Sequence, residues 1–269
     1  MRINHNMAAI NAHNQLTKNG GASSKSLEKL SSGLRINSAG DDAAGLAISE
    51  KMRTQIRGLD KAQANAQDGI SLIQTAEGAL QQTTDILQRM RELVIKSEND
   101  GVLSPDDKAA IDTEFTELST EIDRIAKSTS FNGKTLLDGE SGELKFKIGA
   151  NTLGEDTLVL EIEAMTTTGI GINNTTVGSA KALDSIDSAI KIVSEQRAKL
   201  GAVQNRMEYA IESIKVTGEN LTSAESRIRD VDMASEMVNF TKNNILQQSA
   251  MSMLAQANQQ PMQILSLLQ

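Results

Sequence analysis

His5 and His13 are the two histidines of a 269-residue chain that has no cysteine, so they are the first place to look for a metal ligand or a general base. They stand eight residues apart, on one side of a helix but two turns from each other, too far to share an ion without a third ligand. They read as interfacial polar side chains. Gly20-Gly21-Ala22-Ser23-Ser24-Lys25-Ser26 has the outline of a phosphate loop, but Ser24 stands where that motif requires glycine and no strand precedes it. The carboxylates lie on solvated helix faces, with no His, Cys or Lys nucleophile beside a Gly-rich elbow. The 11 methionines fit adaptable interface packing better than a cofactor box. Of the sequons Asn173-Asn174-Thr175, Asn220-Leu221-Thr222 and Asn239-Phe240-Thr241, the last two fall on expected interface helices and are read as chance. The expectation is a chain with no catalytic, cofactor or metal site, and no enzymatic activity.

The elements around these residues are long and thin. Phe115, Phe131, Phe146, Phe240 and Tyr209 are the whole aromatic content, with no Trp, so the bulky anchors of a thick core are missing. Pro105 and Pro261 are the two prolines, which suits long helices rich in Ala, Leu, Ile and Met. A formal charge of −8 excludes nucleic acid, whose phosphates need a basic face. Residues 1–40 carry five Lys or Arg against Glu28 alone, a balance of +4, and 232–269 sum to −1, which leaves −11 for 41–231. The acidic middle is expected to be solvated, and the near-neutral C-terminus to be buried against something. Met1-Arg2-Ile3-Asn4-His5-Asn6 is followed by no apolar run, so no Sec-type signal peptide is expected, and no stretch is apolar enough to span a membrane.

The strongest physical signal is a repeat of seven. Met52, Leu59, Ala66, Ile73, Leu80, Leu87 and Val94 form one string, and Ile186, Val193, Leu200, Met207, Ile214, Leu221 and Ile228 another. Such heptads keep a narrow apolar seam against a partner helix. Between them Ser104 is an N-cap, Pro105 opens a helix, and Ile111, Phe115, Leu118, Ile122 and Ile125 form its core face. From about 131 to 180, Leu144-Lys145-Phe146-Lys147-Ile148 and Leu158-Val159-Leu160-Glu161-Ile162 alternate on either side of Asn151-Thr152-Leu153-Gly154, as in a β-hairpin.

Both ends carry apolar stripes without a third segment to cover them: Ile3, Met7 and Ile10 in front, Met237, Phe240, Leu254, Ala257, Leu265 and Leu268 behind. They need each other or another copy. The expected architecture is mainly α: a long antiparallel helical bundle or coiled coil over 41–231 with the small β-hairpin region, and a terminal coiled-coil domain of 1–40 with 232–269.

Long blocks of this sequence resemble the bacterial flagellins over nearly the whole chain. They are Arg2-Ile3-Asn4-His5-Asn6 with Ala8-Ala9, Leu30-Ser31-Ser32-Gly33-Leu34-Arg35-Ile36-Asn37, Ala39-Gly40-Asp41-Asp42-Ala43-Ala44-Gly45-Leu46-Ala47-Ile48 and Gln67-Asp68-Gly69-Ile70-Ser71. In the back half they are Ala198-Lys199-Leu200-Gly201-Ala202, Asn220-Leu221, the run from Ala224 to Ala234, and Ala255-Gln256-Ala257-Asn258-Gln259. The resemblance implies a subunit of the extracellular flagellar filament, with paired end helices lining the inner tube. It implies export unfolded through the flagellar type III apparatus, an export chaperone at the C-terminal helix, and contacts with the filament cap and hook-filament junction proteins. It also implies a face read by the animal flagellin-sensing Toll-like receptor, since Leu87-Gln88-Arg89-Met90-Arg91-Glu92-Leu93 resembles the recognised segment. Arg89, Leu93 and Glu114 are the candidates for that face, while Lys96 departs from the family's usual Gln.

Two other readings stay open at this point. A hook-filament junction protein would share the ends but differ in the middle and be scarce. A cytoplasmic coiled-coil scaffold would share the heptads but have no reason for two uncovered tails.

Overall fold

The computed structural model describes residues 6–99, 103–140, 142–151, 156–173, 175–179 and 181–267, with side chains up to Gln260 in the last helix. The expected stripe residues Ile3 and Leu268, the side chain of Leu265 and the turn residues Thr152, Leu153 and Gly154 lie outside the described residues. Along the chain come α1 (Met7–Ser32), α2 (Ala43–Ser97), α3 (Pro105–Ser128), β1 (Ser130–Phe131), β2 (Lys134–Thr135), β3 (Glu143–Lys147), β4 (Thr157–Glu161), α4 (Ala182–Arg229) and α5 (Met233–Leu267). The chain is mainly α, as the heptads predict.

Two compact units are present, Met1–Thr54 with Asn220–Gln269, and Gln55–Glu219. These bounds differ from the expected division at 40 and 232. The first turns of α2 and the last turns of α4 are tied to each other inside the first unit, by Arg53 to Glu225 at 3.0 Å and Arg229 to Glu50 at 2.9 Å. α2 and α4 run through both bounds without interruption, although Gly58 and Gly218 stand close to them.

In the second unit the heptad strings are the core. Ile73, Leu80, Leu87 and Val94 on α2, and Ile186, Val193, Leu200 and Met207 on α4, are fully buried, and Ile214 nearly so. Each such side chain contributes about 1.5–3 kcal/mol by leaving water. The outlying heptad positions Met52, Leu59, Leu221 and Ile228 were expected to be core and are only partly buried. None of the four belongs to the buried cluster that α2, α3, α4 and the strands build together.

α3 begins where its residues say it should. The Ser104 hydroxyl accepts from the Asp107 N–H at 3.2 Å, and the Asp107 carboxylate accepts from the Ser104 N–H at 3.0 Å, a reciprocal capping box with Pro105 at the first position. Ile111, Phe115, Ile122 and Ile125 are buried and Leu118 packs beside them. After α3, Asn132 and Gly133 both take positive φ, 51° and 78°, to turn β1 into β2. The expected hairpin is β3–β4, antiparallel with Leu144 facing Leu160 and Phe146 facing Leu158. It is pinned to α2 by the Asn65 side chain, which donates to the Lys147 carbonyl at 3.2 Å. A Cβ at Gly69 would stand 2.9 Å from the Met207 methyl and 3.1 Å from the Phe146 ring, so a larger residue there would have to displace the end of the Met207 side chain and crowd the hairpin.

Candidate assembly surface

α1 and α5 pair with each other in antiparallel fashion. The Asn6 side chain caps α1 by accepting from the Ala9 N–H and donates to the Ala257 carbonyl at 2.7 Å. Farther along, a Cβ at Gly20 would lie 3.8 Å from the Gln247 amide nitrogen, and at the far end Leu34 bridges Asp230. Gly33, at φ 71°, ends α1 in the left-handed conformation and accepts from the Val231 N–H at 3.0 Å. There the Arg35 N–H donates to the Arg229 carbonyl at 2.6 Å, and its guanidinium donates to the Ile228 carbonyl at 2.6 Å, placing a cation on the C-terminal carbonyls of α4. Arg229 is buried, pairs with Glu50, and leaves its Nε without a hydrogen-bond partner.

The seam between the two helices mixes small and polar side chains with Leu16, Leu30, Phe240 and Leu254. On α1, Ala9, Ala12, Leu16, Asn19, Ser23, Ser26 and Leu30 turn inward at alternating spacings of three and four, and on α5, Phe240, Asn243, Gln247, Ala250, Leu254 and Ala257 do the same. Small seam residues let the two backbones come within 8 Å of each other. The larger apolar residues point away. Met7 (59% exposed), Ile10 and Leu27 on α1, and Met233, Met237, Val238 (67%), Ile245, Leu246, Met251 and Met253 on α5, stand in solvent. Met237, Val238, Thr241, Lys242, Ile245 and Leu246 line a shallow trough of about 500 Å³ along α5. A soluble coiled coil puts its large apolar side chains in the seam and its polar ones outside. This pair keeps four large apolar side chains in the seam and leaves the others in solvent, and so carries a second apolar face that needs a partner.

The sequence-predicted stripe is therefore divided. Phe240 and Leu254 sit partly buried in the seam, whereas Met7 and Ile10 face outward. The seam's own signal, Ala, Ser, Asn and Gln at three-four spacing, is readable only when small polar residues are allowed to count as buried.

The candidate recognition residues lie in the second unit. Arg89 on α2 donates to Glu114 on α3 at 2.9–3.0 Å and to Glu92 at 3.1 Å, and all three side chains are about half exposed or more. Glu114 first, then Glu92, hold the guanidinium's pKa above its ordinary value, so it stays charged throughout. Leu93 does not join them. It was expected to offer an apolar patch beside Arg89, but it is 1% exposed and belongs to the core cluster with Met90, Val94 and Phe115. Four-residue spacing puts Arg89 and Leu93 on one side of α2, yet Leu93 adjoins the heptad line at Val94 and is buried with it. Among the described residues no group of His, Asp or Glu could hold a metal ion, and no helix is long and apolar enough to cross a membrane.

Comparison with known proteins matches residues 3–141 to the bacterial flagellin N-terminal helical region and residues 183–268 to the bacterial flagellin C-terminal helical region. The chain is 53% identical to flagellin of Bacillus subtilis and 53% identical to flagellin of Halalkalibacterium halodurans, in each case over 100% of both chains. It is 50% identical, again over 100% of both, to the flagellar filament 33 kDa core protein of Treponema phagedenis.

Proposed function

The chain belongs to the bacterial flagellin family, a structural subunit of the extracellular flagellar filament, and we propose that it polymerises through the outward apolar face of α1 and α5. The observation that carries this is the uncovered face: with the seam of the pair already formed, Val238, Ile245, Met253 and their neighbours still stand exposed. Covering that face with the same face of other copies would place the terminal pair at the centre of the filament, around its inner tube. We infer export unfolded through the flagellar type III apparatus, since two helices that leave most of their large apolar side chains in solvent gain little from pairing alone.

Before export, the trough along α5 is the surface we assign to the export chaperone, which must cover the apolar side chains while no second copy is present. At the filament's ends the same face would meet the cap and the hook-filament junction proteins. Deleting residues 1–30 or 240–269 should leave the second unit's melting transition in place and abolish both polymerisation and, for the C-terminal deletion, chaperone pull-down. Long filaments from either truncated chain would refute the assignment.

Recognition by the animal flagellin-sensing Toll-like receptor is proposed for Arg89 and Glu114 without Leu93. Arg89 is accessible and presents a forked donor already oriented by Glu114. The measurement is receptor activation by monomer carrying Arg89→Ala, and unchanged activation would remove this residue from the face.

A further inference from the structure

Eight of the methionines with described side chains fall into two populations, and Met52, partly buried in the first unit, stands between them. Met90, Met165 and Met207 lie in the second unit and are at most 1% exposed. Met7, Met233, Met237, Met251 and Met253 lie in the first unit, on α1 and α5, and are 48–61% exposed. The chain has no cysteine and no tryptophan, so nothing softer than a thioether competes for an oxidant. Adaptable packing explains why methionine serves on an assembly face, but it also leaves five sulfurs in solvent for as long as the chain is unassembled.

We propose that these five methionines are a reversible modification site, oxidised to sulfoxides by hydroperoxides in the free subunit, and that the sulfoxides block assembly until a methionine sulfoxide reductase removes them. The proposal rests on the assembly face assigned above. In the forward step the sulfur lone pair attacks one oxygen of hydrogen peroxide, the O–O bond breaks, an S–O bond forms, and the proton on the transferred oxygen passes to the departing hydroxide, which leaves as water, with the sulfur oxidised by two electrons. In the reverse step two thiols of the reductase are oxidised to a disulfide, and the oxygen departs as water. Met237 shows why the product matters. It lines the trough with Val238, Ile245 and Leu246, beside Thr241 and Lys242; the Thr241 hydroxyl already donates to the Met237 carbonyl at 2.8 Å, so a sulfoxide oxygen would lose water on assembly with the Lys242 ammonium as the donor left in the trough.

The test treats full-length monomer with hydrogen peroxide, reads sulfoxide at each methionine by peptide mass spectrometry, and measures the critical concentration for seeded filament growth. The five should oxidise well before Met90, Met165 and Met207, and the critical concentration should rise about tenfold or more. A reductase mixture acting on both sulfoxide epimers should return it to the starting value. Oxidised monomer that grows at the parent concentration, or a loss of growth that the reductase does not reverse, overturns the proposal. Ile245→Glu, without peroxide, separates the two layers of the argument. If it blocks growth while oxidised parent grows, the assembly face stands and the methionine inference alone falls; if it grows as the parent does, the face is wrong and the inference falls with it.

Discussion

Leu80→Ala tests the bundle at a point where the structure sets the magnitude. Leu80 is a heptad residue on α2, 0% exposed, inside the cluster that includes Leu87, Phe115, Ile122 and Leu200. Truncation removes three carbon groups, about 2.4 kcal/mol at ~0.8 kcal/mol each. The neighbours on α2, α3 and α4 belong to continuous helices and close the void only in part, so a cavity cost brings the total to about 3–4 kcal/mol. For a unit of this size each kcal/mol moves the midpoint by roughly 2–4 °C, so the second unit should melt roughly 6–15 °C below the parent. Leu59→Ala, on the same heptad line but only partly buried, should cost about half as much or less. Circular dichroism melts of the full-length monomer read both. A Leu80→Ala chain that melts within about 2 °C of the parent, or one no less stable than Leu59→Ala, would refute the heptad-seam account of the core.

Ser104→Ala should destabilise α3 by about 1 kcal/mol, seen as faster amide exchange at its first turn, since both halves of the capping box run through this residue. Acid should fray the same turn and the 33–42 connector first. The Asp107 carboxyl is held below its ordinary pKa by the Ser104 N–H and then its hydroxyl, and Asp41 by the N–H groups of Ser38 and then Asn37. Because both folded-state values are lowered, the stability they lend is complete above the unfolded value of about 4 and is lost as pH falls below it. Exchange mapping at pH 3 against pH 7 should show those segments opening ahead of the Leu80 core. Arg35→Ala removes the cation from the Ile228 carbonyl and should loosen the α1–α5 pair without moving the melt of the second unit. A lowered midpoint for that unit would count against the division.

The long helices, the capped middle helix and the β3–β4 hairpin were legible because each is declared by local chemistry: strict heptads, Ser104-Pro105, and period-two alternation. The Asn132-Gly133 turn was not read, although that dipeptide supplies the two positive φ values a tight hairpin needs. What the sequence could not disclose is where large apolar residues stay uncovered. A stripe of Met7 and Ile10 reads as a buried face, yet Ala9, Ala12 and Ser26 hold the partner helix, because close approach favours small side chains. Leu93 failed for the related reason that helical spacing gives a direction but not the width of the cover, which α3 extends. The unit bounds were hidden because α2 and α4 continue through them as unbroken helices, past Gly58 and Gly218.

The absence of cysteine allows one direct measurement of the central claim. Val238→Cys places a single thiol at the most exposed part of the outward face of α5. A maleimide should label it at the rate of a free surface thiol in the monomer, and about a hundredfold more slowly or not at all in intact filaments, because each copy's face is covered by the next. Equal labelling of monomer and intact filament would contradict the assignment of this face to assembly.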